Sequence, residues 1–262
     1  MNLPELSSTD YGLIGRPLGH SRSKAFFTRL FAEKGSAESY DNFELKALSP
    51  EALYSLMLLN PRLKGFNVTA PYKIEIMQYL DRVSPEAEAV GAVNTVKIVR
   101  DDTGRVLALE GYNTDVEGFR ESVRPMAARL EDRQGALILG TGGAAAAVAE
   151  ALRQLGIESV KVSRSQKDGA VTYDAITPEL LASHPLIVNA TPAGTYPNTD
   201  ECPPFPYHLL GPGNMCHDLV YNPAETTFMR LAAERGAMTR NGLEMLHRQA
   251  LASLLIWKKT NK

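Results

Sequence analysis

The chain is poor in the residues that build metal and disulfide sites. Its 262 residues include two cysteines and five histidines. Cys202 and Cys216 stand in no metal or redox spacing, which excludes a disulfide framework and leaves them as free thiols. The histidines are scattered and never two on one helix face, so no metal is expected. No apolar run reaches the roughly 18 residues of a membrane span. Residues Met1 to Glu5 carry neither the basic segment nor the apolar core of a signal peptide, so the expectation is a soluble, cytoplasmic protein. Excess charge is lacking too. Lys and Arg number 28 against 30 Asp and Glu, a net charge of −2 with no basic footprint for nucleic acid. A small-molecule partner is expected, with monomer and homodimer both open.

Apolar residues make up 44% of the chain, enough for one large or two modest cores. Their pattern mostly alternates strand and helix, which predicts α/β units with parallel sheets. Strands are expected at residues 11–15, 39–45, 64–68, 135–139, 159–162, 186–190 and 215–220. A hairpin is expected from 93–99 and 105–109 around the Asp101–Gly104 turn. Helices are expected at 23–34, 50–59, from Pro71, from Asp115 to about Leu130, after the glycine turn, and at 242–258. The reading is two α/β domains with a cleft between them, the second a doubly wound, Rossmann-like dinucleotide domain.

That domain starts at Gly140-Thr141-Gly142-Gly143-Ala144-Ala145, a G-x-G-x-x-A turn between an apolar strand and an alanine-rich helix. Gly140 allows the tight turn, Gly142 lets a pyrophosphate approach, and Ala145 lets the helix pack close to the strand. Free N–H groups and the positive dipole end at Thr141 to Ala144 then hold phosphates. The next strand ends in Ser163-Arg164-Ser165, where an NAD site would place an acid on the ribose. Arg164 can instead pair with a 2′-phosphate, with Lys167 just beyond, so the cofactor expected is NADP. A solvated arginine at a strand end is the plainer alternative.

Moving a hydride to a carbonyl also requires moving a proton at its oxygen. Asn67-Val68-Thr69-Ala70-Pro71-Tyr72-Lys73 begins at a strand's carboxyl end, where open sheets hold ligands. Asn67 and Thr69 can hydrogen-bond hydroxyls, and Lys73 is either an acid–base group or a surface lysine. Asp115, after Gly111-Tyr112-Asn113-Thr114, either caps a helix or holds that ammonium. Ser21 and Ser23 are either helix caps or carboxylate-binding hydroxyls. Asn94 stands among small apolar residues entering a strand. Gln249 lies at the edge of the last helix's apolar stripe, a place more typical of a satisfied core edge.

Taken together, these motifs resemble the shikimate dehydrogenase family, in order and over nearly the whole chain. The set comprises His20-Ser21-Arg22-Ser23, the Asn67–Lys73 segment, Gly91-Ala92-Val93-Asn94-Thr95, Gly111–Asp115 and Gly140–Ala145. It continues with Asn189-Ala190-Thr191-Pro192, Asp218-Leu219-Val220-Tyr221-Asn222-Pro223 and Asn241-Gly242-Leu243-Glu244-Met245 through Gln249-Ala250. The resemblance implies reversible NADP-dependent reduction of 3-dehydroshikimate to shikimate, with Lys73 and Asp115 as the catalytic pair. It implies substrate contacts from Ser21, Ser23, Asn67, Thr69, Asn94, Tyr221 and Gln249. Cofactor contacts would come from the glycine turn, Ser163, Arg164, Ser165, Asn189, Thr191 and Gly242. It implies a substrate domain at 1–112, rejoined by the helix at 242–262, and an NADP domain at 113–241. Lys24 stands where the family commonly has proline, Ser163 where it has asparagine, and the second basic residue is displaced to Lys167. The rivals are a quinate/shikimate dehydrogenase with broader cofactor use and a non-catalytic NADP or metabolite sensor. A short-chain dehydrogenase is disfavoured because no Tyr-x-x-x-Lys pair occurs.

Overall fold

A computed structural model describes residues 9–19, 21–167 and 169–259. The expectations placed on Met1 to Glu5, on His20 and on the helix end beyond residue 259 lie outside the described residues. The chain divides into two compact units. One holds the chain up to Thr114 and again from Ala250, and the other is Asp115–Gln249.

The first unit contains β1 (Tyr11–Gly15), α1 (Ser23–Glu33), β2 (Tyr40–Glu44), α2 (Pro50–Leu59) and β3 (Gly65–Val68). After a turn come β4 (Arg82–Val83), α3 (Pro85–Val90), β5 (Thr95–Arg100) and β6 (Val106–Tyr112). Its six-stranded sheet runs β2-β1-β3-β5-β6-β4. The β1, β2 and β3 strands are mutually parallel, and β5 runs antiparallel to both β3 and β6. The carboxyl ends of β1, β3 and β6 therefore share one sheet edge with the amino end of β5. Local chemistry sets the short helices. Ser49 and Ser84 accept from backbone N–H groups of α2 and α3, each helix has proline in its first turn, and Gly91 ends α3 at φ +69°.

An aromatic cluster fills one side of this sheet. Tyr11 stacks on Trp257 at 4.7 Å, Phe27 stacks on Tyr40 at 4.4 Å, and the Trp257 indole N–H donates to the Val96 carbonyl at 2.9 Å. Gly65 leaves room for that indole, since a Cβ there would stand 2.3 Å from it.

The second unit holds α4 (Thr114–Ala127, its first residue belonging to the first unit), β7 (Ala136–Leu139), α5 (Gly143–Gln154), β8 (Ser159–Ser163) and β9 (Ala170–Thr172). Then come α6 (Pro178–Ser183), β10 (Leu186–Asn189), β11 (Met215–Asp218), α7 (Thr227–Ala233), β12 (Met238–Arg240) and α8 (Leu243–Lys258), which passes into the first unit at Ala250. Its sheet, β12-β11-β10-β7-β8-β9, is parallel at every pairing. Counted from β7 the order is 3-2-1-4-5-6, the doubly wound order with its switch point between β7 and β10.

Two local expectations are corrected. Pro71 opens no α-helix; the chain turns and forms only a 3-10 helix at Glu75–Tyr79. Tyr72 and Ile76 are its buried apolar pair, and the Asp81 N–H then donates to the Leu109 carbonyl, drawing the chain into β4. Neither serine caps α1. The N-cap is Arg22, without a side-chain bond, and the Ser21 hydroxyl accepts from the Ser23 N–H at 3.3 Å. The strands β4, β9 and β12 lie outside the expected set, because two or three residues are too few to show alternation.

Candidate active site

In the first unit, five segments meet at the sheet edge where β1, β3 and β6 end and β5 begins. Asn67 lies in β3 opposite Thr95 of β5, and Thr95 lies opposite Tyr112 of β6. The Asn67 amide nitrogen donates to the Asn94 carbonyl (3.2 Å), the Thr95 hydroxyl (3.0 Å) and the Ser253 hydroxyl (2.9 Å). Its oxygen accepts from the Tyr40 hydroxyl at 2.9 Å. The Asn94 oxygen accepts from the Thr114 N–H at 2.7 Å, the Thr114 hydroxyl at 3.1 Å and the Thr95 hydroxyl at 3.0 Å. All six of these side chains are buried. Burial raises the Tyr40 pKa strongly, against a hydrogen bond with the Ser23 hydroxyl, so Ser23 joins the same chain of polar groups. Ser21 instead lines a groove on α1 with Leu18, Lys24 and Glu44.

Thr69 and Lys73 are half-buried on the turn that leaves β3. The Thr69 N–H donates to Ile14, and the Lys73 carbonyl accepts from the Val93 N–H at 2.8 Å, which ties this turn to the segment carrying Asn94. Tyr40, Thr95, Thr114 and Ser253 were not singled out from the sequence. For Ser253 a signal existed, since it lies one helical turn beyond Gln249 on α8.

In the second unit, Asp115 opens α4, where a carboxylate suits the helix dipole. Gly140 takes φ +120° at the end of β7. Gly142 is the N-cap of α5 with no side-chain bond, and Thr141, Gly142, Gly143 and Ala144 are all exposed. A Cβ on Gly142 or Gly143 would meet nothing within 4 Å, so the helix start faces open space that a phosphate group would fill. Ser163 is buried at the end of β8 and accepts from the Ser165 N–H, while Arg164 is exposed beside Tyr173. Lys167 donates to the Thr141 hydroxyl at 3.2 Å, which brings a cation to the glycine turn. These residues fit a phosphorylated dinucleotide, with no acid at the strand end.

Asn189 and Thr191 stand across the switch point. The Asn189 oxygen accepts from the Thr191 N–H (3.1 Å) and hydroxyl (2.7 Å), and its nitrogen donates to the Asp218 carboxylate (2.9 Å). Asp218 also accepts from Val220 N–H and the Thr226 hydroxyl. Burial pushes its pKa up to about 6 despite those three donors. Next to it, burial and the charge of Arg240 push His217 down to about 3. Asp218 was quoted in a motif without a role, although it is the one acid in an apolar strand. Gly242 packs backbone to backbone, since a Cβ there would lie 2.0 Å from the Leu219 oxygen. Tyr221 follows β11, half-buried, and the Gln249 amide donates to Leu246 in its own helix at 2.9 Å.

A family model described as the shikimate dehydrogenase substrate binding domain matches residues 13–96. Shikimate dehydrogenase (NADP(+)) of Caldanaerobacter subterraneus is 34% identical over 94% of this chain and 90% of its own length. The chain belongs to the shikimate dehydrogenase family. Among solved members, the Thermus thermophilus enzyme in complex with NADP(H) and shikimate is 33% identical, with a TM-score of 0.79 over 95% of this chain and 93% of its own. The Listeria monocytogenes enzyme in complex with shikimate and NAD is 28% identical, with a TM-score of 0.78 over 99% and 95%. Among the described residues, no helix is long and apolar enough to cross a membrane, and no cluster of His, Cys, Asp and Glu could hold a metal ion.

Proposed function

We propose that this protein interconverts 3-dehydroshikimate and shikimate with NADP as its redox partner. The reading rests above all on its relatives, named shikimate dehydrogenase (NADP(+)), which match over 94% of the chain and do not match a nucleotide domain alone. Residues 1–112, rejoined by residues 242–262, would hold the substrate, and residues 113–241 would hold NADP. The turn from Gly140 to Ala144 suits the pyrophosphate, and Ser163, Arg164 and Ser165 suit the adenosine side, where Arg164 supplies the charge for a 2′-phosphate. When bound, NADP accepts or supplies the hydride.

The chain's own residues do the rest. Ser21, Ser23, Asn67, Thr69, Asn94, Tyr221 and Gln249 hold the carboxylate and ring hydroxyls. Lys73 delivers a proton to the carbonyl oxygen during reduction and takes it back during oxidation. Asp115 favours the charged ammonium and fixes its position. The same geometry serves a monomer or a homodimer acting on a small molecule.

The test follows nicotinamide absorbance with shikimate and quinate, each with NADP and NAD. Turnover of shikimate with NADP, and a preference for NADP that Arg164→Ala erodes, is the expected pattern. No turnover with any pair would leave a metabolite-binding protein. Equal kcat/KM for both cofactors would remove the 2′-phosphate role of Arg164 and favour the broader quinate/shikimate activity, a reading kept open by the NAD held in the Listeria relative.

A further inference from the structure

The polar network under the first unit's sheet edge has a directional logic. A backbone N–H can only donate, so the Thr114 N–H, 2.7 Å from the Asn94 side chain, must face its oxygen. The Asn94 nitrogen therefore points the other way. Asn94 is 3% exposed, yet that nitrogen donates to no protein group among the described residues. A backbone carbonyl can only accept, so the Asn94 carbonyl, 3.2 Å from the Asn67 side chain, must face its nitrogen. The Asn67 oxygen then faces Tyr40, and through it Ser23. The two amides are thus held in opposite orientations, one offering a donor and the other an acceptor.

What holds them is a closed triangle of hydroxyls. Thr95, Thr114 and Ser253 lie 2.8 to 3.1 Å from one another, all three buried. Thr95 and Thr114 bond the Asn94 oxygen, and Thr95 and Ser253 bond the Asn67 nitrogen. Hydroxyls suit this place because each can donate and accept: Thr95 donates to the Asn94 oxygen while accepting from the Asn67 nitrogen, Thr114 donates to Asn94, and Ser253 accepts from Asn67. Ser253 is the member supplied by α8, far along the chain from the rest.

We infer that Ser253 is a positioning residue for substrate recognition, locking Asn67 and Asn94 with Thr95 and Thr114 so that the site presents a donor at Asn94 and an acceptor at Asn67. This rests on the function proposed above. A polyhydroxylated ring is then read with polarity: one oxygen must accept from Asn94 and a neighbouring hydroxyl must donate toward Asn67. Without the Ser253 hydroxyl, the Asn67 nitrogen and the Thr95 and Thr114 hydroxyls each lose a partner, so the Asn67 amide is held less firmly, which weakens substrate binding before it affects the chemical step.

The test measures shikimate and NADP dissociation constants by calorimetry on the full-length protein. Ser253→Ala should weaken shikimate binding about tenfold and raise KM far more than it lowers kcat, while NADP binding stays within about twofold. Asn94→Asp keeps the Thr114 bond but replaces the donor with an acceptor, and should weaken shikimate at least as much. Leu254→Ala is the control, because this buried neighbour packs in the apolar core and its side chain makes no hydrogen bond in the network. It should lower Tm and leave the shikimate constant unchanged. Should Ser253→Ala fail to fold, Thr95→Val and Thr95→Ser replace it, with loss expected only where the hydroxyl is absent. Unchanged shikimate binding in Ser253→Ala, or an equal loss in Leu254→Ala, overturns the inference. A parent protein that binds no shikimate overturns the function itself, so the two failures are distinguishable.

Discussion

Asn189 and Asp218 face each other from neighbouring parallel strands, amide nitrogen to carboxylate oxygen at 2.9 Å, both fully buried. Through its other end Asn189 holds the Thr191 turn, and Ala190 and Thr191 stand beside Gly140, so the carboxylate helps to shape the surroundings of the glycine turn. Asp218→Ala strands three donors at once, and each buried unpaired group costs on the order of 1–3 kcal/mol. Urea unfolding should show a loss of about 3 kcal/mol, and NADP binding should weaken more than shikimate binding. Asp218→Asn should retain most of both, since its amide oxygen can still accept from Asn189 and Val220. Equal losses in the two variants would remove the carboxylate from this role.

The adjacent pair His217 and Asp218 should make stability depend on pH in opposite directions. His217 falls from 6.5 to about 3 in the folded protein, so its contribution is whole above 6.5 and is lost as pH drops toward 3. Asp218 rises from 3.8 to about 6, so the folded state keeps a proton that the unfolded state releases, and stability falls as pH rises through that interval. Between about 4 and 6 the two proton counts cancel, and the pair contributes a flat profile. Asp218→Asn should expose the histidine, with stability falling on acidification by up to about 1.4 kcal/mol per pH unit. His217→Asn should expose the opposite slope. Denaturant unfolding at a series of pH values checks both, and parallel profiles for the two variants would contradict the assignment.

Two glycines should respond to alanine in opposite senses. At Gly242 a Cβ would stand 2.0 Å from the Leu219 oxygen, so Gly242→Ala must shift backbone and should cost about 1–3 kcal/mol or more. At Gly143 a Cβ meets nothing, and alanine in a first helical turn adds up to about 1 kcal/mol of helix propensity. Gly143→Ala should therefore leave Tm unchanged or higher while weakening NADP, whose phosphate would occupy that space. A drop in Tm with unchanged NADP binding would show that the open space serves the fold.

Lys73 is half-buried on a turn whose backbone is held by Val93. Lys73→Ala should cut kcat by roughly 10²–10⁴-fold, the usual worth of a positioned acid–base group. Shikimate and NADP dissociation constants should change far less. Near-parental turnover would take Lys73 out of the chemistry.

Periodicity and turn chemistry carried much of the fold. The buried runs of β1, β3, β7, β10 and β11 and the stop at Gly35 are local signals, as are the proline and serine starts of α2. The glycine turn was legible because its constraints are local as well: a positive φ at Gly140, open space at Gly143, and a small Ala145 against the strand. The short β4, β9 and β12 were not, because two or three residues cannot show alternation. Nor was the Pro71 turn, where the chain forms only a 3-10 helix at Glu75–Tyr79 before β4 pairs with β6.

From their own chemistry Asn67 and Ser23 were open as ligand groups, and Asn94 entered as a substrate contact only through the family resemblance. Which way their amides face could not be read there. That depends on a backbone N–H at Thr114, a carbonyl at Asn94 and a hydroxyl at Ser253, the last of them 186 positions along the chain from the Asn67 it holds. Hydrogen-bond direction is a property of atoms in contact, so it exists only once antiparallel β5 is set between β3 and β6 and α8 has returned to the first unit.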